Sequence, residues 1–142
     1  MSKDDFEFTL RLDLSQLERK IDLGLLNMAM TIEKYVKELM QKTQKTGRQY
    51  YIPGTRQKYT ASAPYQPPAV RTGRLLHSIY HSSVEKDMQG KYVMLGAGAK
   101  SGNYLYAKGL EFGTEKMKPR PAWIRVLKEK KDEIIQAFKK FF

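Results

Sequence analysis

The sequence predicts an α+β fold: a small, mainly antiparallel sheet packed with two long helices, one N-terminal and one C-terminal, and a long central loop. Three observations predict it. Apolar residues recur at helical spacing over about 15–42 and again from Pro121 to the last residues. Short alternating or β-rich stretches, the material of a sheet, lie before and between these helices. From Thr43 to Val70 neither period is present, and Gly, Pro, Thr, Tyr and basic residues take over.

Each element follows in order. Phe6, Phe8, Leu10 and Leu12 alternate with polar residues, which predicts a half-buried strand over Phe6–Leu14. Ser15 and Glu18 have the spacing of a capping box, and Leu17, Ile21, Leu25, Met28, Ile32, Tyr35, Val36 and Leu39 give one apolar face to a helix over 15–42. Gly24 costs that helix about 1 kcal/mol relative to alanine unless another backbone comes close there. Thr72 is placed to cap a short helix carrying Leu75 and Leu76. Ile79 to Val84 and Tyr92 to Leu95 predict a hairpin turning at Asp87–Gly90. Gly96 to Asn103 reads as a loop, and Tyr104–Phe112 as a short helix stopped by Gly113. Pro121 suits the first turn of a terminal helix whose stripe runs through Trp123, Ile124, Leu127, Ile134, Ile135, Phe138 and Phe142.

A chain of 142 residues is most simply one domain, 1–142, with a flexible basic Tyr/Pro-rich loop at about 43–70. It has no cysteine, which excludes disulfides and thiolate metal sites. No stretch has the length and apolarity of a signal peptide or a membrane span, so an intracellular or intracellularly assembled protein is expected. The net charge is +11, and its placement says more than its size. Residues 39–84 carry seven basic side chains and no acid, and 116–142 carry nine against three. Such regions bind phosphate backbones or acidic protein surfaces, or keep the chain soluble.

Enzyme signatures are weak. The run from Gly96 to Gly102 lacks the glycine that a phosphate-binding loop needs before its lysine, because Ala99 stands there. His77 and His81 have the spacing of a helical metal pair but no third ligand nearby. No acid cluster suited to a two-metal site and no nucleophile triad stands out, so neither a catalytic residue nor a cofactor is expected. Glu111, framed by Leu110 and Phe112, is the acid whose burial the sequence suggests, and a buried carboxylate needs a partner. The expectation is a charge-assisted pair with Arg120 or Arg125 that pins the loop from Gly113 to Pro119. In the central loop Arg48, Tyr50, Tyr51, Arg56, Lys58 and Tyr59 interleave cations with aromatics, a composition that serves base stacking with phosphate neutralisation and protein interfaces equally.

Two blocks, Ser62–Leu75 and Tyr106–Pro121, together resemble the tail-component family of long-tailed bacteriophages and prophages. These are small neck or tail-completion proteins, a family that includes relatives of the lambda minor tail protein Z. The matching residues are Pro67, Pro68, Thr72, Gly73, Arg74 and Leu75 in the first block. In the second they are Tyr106, Ala107, Glu111, Phe112, Gly113, Thr114, Met117, Arg120 and Pro121. Tyr65 and Gln66 stand where members of the family often have Gly and Glu, Gly109 where an aromatic is common, and the aromatic after Arg-Pro is displaced to Trp123.

The resemblance implies a structural virion protein at the head–tail junction, needed for tail completion or head–tail joining and assembled in the host bacterial cytoplasm. It implies a homo-oligomeric ring whose partners are phage connector or head-completion proteins and tail-terminator or tail-tube proteins. It allows non-specific contact with DNA in the channel and involves no membrane. The alternative is a basic nucleic-acid-binding protein that uses the central Tyr/Arg/Lys set.

Overall fold

A computed structural model describes residues 6–70, 73–98, 100–101 and 104–142. Helices and small antiparallel sheets make up the fold, as an α+β protein requires. The first helix, α1, spans Leu14–Lys42 and presents Ala29, Ile32, Val36 and Met40 to the core. Its cap is Asp13 rather than Ser15: the Ser15 N–H donates to Asp13 Oδ1 at 3.0 Å, so the cap lies two residues earlier than the capping box predicts. The stretch ahead of it forms no strand. Phe6 to Asp13 are exposed along their whole length, because the described chain offers the alternating face nothing to pack on.

The central segment is more structured than its composition suggests. Strands β1 (Gln49–Tyr51) and β2 (Lys58–Thr60) form an antiparallel ribbon with Tyr50 opposite Tyr59. A four-residue helix, α2 (Arg74–His77), follows with Gly73 as its cap at φ 80°; Thr72 lies outside the described residues. The predicted hairpin is present in two sections. Strand β3 (Ile79–His81) pairs with β6 (Leu95–Ala97), and β4 (Glu85–Asp87) with β5 (Gly90–Tyr92). Asp87 Oδ1 accepts from the Gln89 and Gly90 amides and closes the turn at the expected place. Within the stretch read as a loop, Gly96 and Ala97 belong to β6 and Lys100–Ser101 form β7; its partner β8 (Tyr104–Leu105) takes the first two residues of the stretch read as a helix, which therefore starts two residues late. Helix α3 (Tyr106–Phe112) ends at Gly113, whose φ of 81° is one that glycine adopts without strain.

The C-terminal stripe forms two helices, α4 (Trp123–Glu129) and α5 (Lys131–Lys139), instead of one long one. The break is a kink, since the Lys130 N–H still bonds Val126 O and the Ile134 N–H bonds Lys130 O. No Pro or Gly causes it; the Lys130 ammonium lies 5.0 Å from the ring centre of Tyr35 on α1, and the bend keeps Val126 and Ile134 both buried. The core gathers Ile32, Val36 and Met40 of α1, Leu76, Ile79 of β3, and Ala122, Val126 and Ile134. Gly24 is where α5 approaches α1. A Cβ there would lie 2.6 Å from Phe138 Cδ2 and 3.0 Å from Phe138 O, so the glycine is explained by close packing. Nearby, Asn27 Nδ2 donates to Ala137 O at 2.7 Å, a second tie between the same helices.

Candidate functional site

The two sequence blocks, far apart in the chain, meet in space. The Tyr65 N–H donates to Pro119 O at 2.8 Å, and Arg120 Nε donates to Ser62 O at 3.2 Å. Arg120 also donates from Nη1 to Lys118 O and from its own N–H to Leu110 O, so it holds both blocks by carbonyl contacts. Tyr65 sits at φ 68°, a left-handed conformation unusual for a bulky residue. Pro67 is fully buried and Pro68 nearly so, which seats the first block on the body.

Glu111 occupies the centre of this joint and is 8% exposed. It makes no ion pair with Arg120 or Arg125. Its Oε2 accepts from the amides of Ala122 (2.9 Å) and Trp123 (3.2 Å), and its Oε1 from the amide of Ile124 (2.8 Å). These are the orphan donors at the start of α4, where Ala122 gives no side-chain cap. Three backbone donors at the positive end of a helix satisfy a carboxylate without a guanidinium. Arg125 instead lies 3.5 Å from Glu129 on its own helix. The loop that follows Glu111 is still pinned, by other means: the Thr114 and Met117 backbones bond each other, and Gly113 lies so close to Pro119 that a Cβ would come within 2.9 Å of its ring.

The other motif residues take up scaffold positions. Arg74 opens α2 and is exposed, Leu75 is half-buried, Phe112 and Thr114 are exposed, and Pro121 is half-buried before the cap of α4. Leu75, Pro68, Leu110, Glu111 and Trp123 line a cavity of about 20 Å³, room for roughly one water. His77 and His81 do not converge: His77 is exposed on α2, whereas His81 Nδ1 lies 2.8 Å from Glu33 Oε1 on α1. Among the described residues no cluster of three or more His, Cys, Asp or Glu could hold a metal. Likewise, no helix of these residues is long and apolar enough to cross a membrane.

The ribbon is the second candidate. It collects Arg48, Tyr50, Tyr51, Arg56 and Lys58, all exposed, with Tyr59 half-buried, and no acid among them. The rings of Tyr50 and Tyr59 lie 5.9 Å apart, and Lys58 Nζ is 5.2 Å from the ring of Tyr51. Its base is clamped by Gln66, whose Oε1 accepts from the Thr46 and Ala63 amides while its Nε2 donates to Thr46 Oγ1. Lys45 Nζ donates to the carbonyls of Met40 and Thr43 at the end of α1, and burial holds its pKa below the usual lysine value. Sequence reasoning found the cationic aromatics but not these clamps. A glutamine in a proline-rich run carries no local signal that it faces a threonine 20 positions away.

Set against protein-family models, characterised proteins and solved structures, the chain matches none.

Proposed function

We propose that the protein is a structural subunit of a long-tailed phage or prophage virion, placed at the head–tail junction and acting in tail completion or head–tail joining by oligomeric assembly. The motif joint is the observation that carries this reading. Glu111, Arg120 and the Tyr65 backbone direct their polar groups to the protein's own backbone, which makes the shared motifs a rigid brace. What the brace holds outward is a cationic Tyr ribbon suited to contact with neighbours. Ring subunits use heterologous contacts of this kind.

A second reading, a basic nucleic-acid-binding protein, is favoured by the ribbon itself, which gathers Arg48, Arg56 and Lys58 with three tyrosines. Sedimentation mass over a concentration series, with and without duplex DNA, at low and physiological salt, separates the two. The virion reading expects discrete oligomers without DNA. A monomer that gains mass only on DNA, reversibly with salt, would overturn it in favour of the second.

A further inference from the structure

Phe6, Phe8, Leu10 and Leu12 are 84%, 88%, 98% and 75% exposed, although they alternate as one face of a strand. Among the described residues, 6–12 make no backbone hydrogen bond and join no sheet. Asp13 caps α1 in an extended conformation, φ −85° and ψ 100°, so the arm leaves the helix end directly. No Gly, Pro or Asn lies between Phe6 and Asp13 to turn it back.

The same chain carries a surface that would accept such an arm. The β3–β6 sheet has two strands and therefore two open edges among the described residues. The Ser82 N–H bonds Met94 O and the Gly98 N–H bonds Ser78 O, flanking the ladder on either side. Antiparallel alternation then turns the backbone groups of Ile79 and His81 to one outer edge, and those of Leu95 and Ala97 to the other. On the outer face of this ladder stand Tyr80 and Met94, 55% and 53% exposed.

We propose that Phe6–Leu12 is a donated strand. It pairs with an open edge of the β3–β6 sheet in a second copy of this chain and lays its four apolar side chains across that copy's Tyr80 and Met94. Among the described residues donor and acceptor are both unmated, and a head-to-tail exchange mates them without a partner of another kind. Two phenylalanine rings alone remove about 300–500 Å² from water. The leucines and the covered acceptor surface bring each contact to about the 1,000 Å² that a specific interface needs. The inference rests on the oligomeric part of the function proposed above and names the contact that builds the oligomer.

The test uses the full chain in three forms: unaltered, Thr9→Pro, and the double variant Phe8→Lys/Leu10→Lys. Sedimentation gives mass against concentration, and hydrogen exchange reads the amides of 6–12. The expected result is discrete oligomers with protected amides for the unaltered chain, and at least a tenfold loss of association in both variants with the monomer's circular dichroism unchanged. Undiminished oligomers in both variants would overturn the arm and leave the virion reading standing. A monomer whose 6–12 amides are protected would show the arm folded on its own chain, also overturning it. A chain that stays monomeric with open amides, or gains mass only on DNA, would overturn the arm, and in the DNA case the virion reading with it.

Discussion

The Ala122 amide donates to the Glu111 carboxylate at 2.9 Å, so an acid 11 positions earlier caps the helix that follows it. Glu111→Gln keeps the shape but offers one acceptor where two oxygens receive three amides, and turns an amide donor toward another. The expected loss is about 1.5–3 kcal/mol, the range for hydrogen bonds to charged groups. Urea denaturation checks it; an unchanged midpoint would show that the cap contributes nothing.

Gly24→Ala gains about 1 kcal/mol of helix propensity but drives a methyl into Phe138, where overpacking costs about 1–3 kcal/mol. Since the backbone oxygen of Phe138 lies 3.0 Å from the new Cβ, the ring alone cannot relieve the clash, and net destabilisation is expected. In a double-mutant cycle, Phe138→Leu should recover part of the loss. Strict additivity would place the strain elsewhere.

Asp13 has its pKa lowered, chiefly by the Ser15 hydroxyl and then by the Ser15 amide. A depressed carboxylate stabilises the folded state above its ordinary value of 3.8, and that contribution is lost as pH falls through the lowered folded value. The start of α1 should therefore fray in acid. The Ser15 amide resonance, followed between about pH 5 and pH 2, should shift with Asp13, and Asp13→Asn should remove the response while keeping a cap.

Arg120→Lys keeps the charge but loses the fork that reaches the Ser62 and Lys118 carbonyls. The first block should loosen from the second. Limited proteolysis is expected to cut fastest within 43–61, and the variant faster than the unaltered chain; equal rates would show that Gln66 and Tyr65 hold the ribbon's base unaided.

Arg56→Ala with Lys58→Ala tests whether the ribbon meets DNA. Two lost phosphate contacts should reduce the slope of log affinity against log salt by about 1.8, at about 0.9 per contact. A slope unchanged by both substitutions assigns any DNA affinity to another surface.

Local pattern revealed what local forces decide. The α1 stripe, the turn at Asp87–Gly90, the stop at Gly113 and the demand for a close neighbour at Gly24 were all legible, because each rests on periodicity or backbone sterics. The Phe6–Leu12 alternation told which side chains share a face but not whether a partner strand lies within reach. The β1–β2 ribbon escaped because its strands have no buried face to impose a period. Lys130 escaped for the opposite reason: the apolar stripe continues across the kink. The sequence shows that Glu111 needs burial and a partner, but opposite charge points to Arg120 or Arg125 where the structure has three amides. Unpaired amides at a helix start leave no mark in a sequence.

The remote cap of α4 also fixes an order of events. Seven residues with no side-chain cap of their own make a helix too short to persist alone in water. Its first turn gains its cap only when α3 is formed and Glu111 is in place, so α4 is conditional on the segment before it. During synthesis, α4 would emerge after the acid that caps it, and loss of that acid would be read out at the start of α4, 11 positions away from the altered residue.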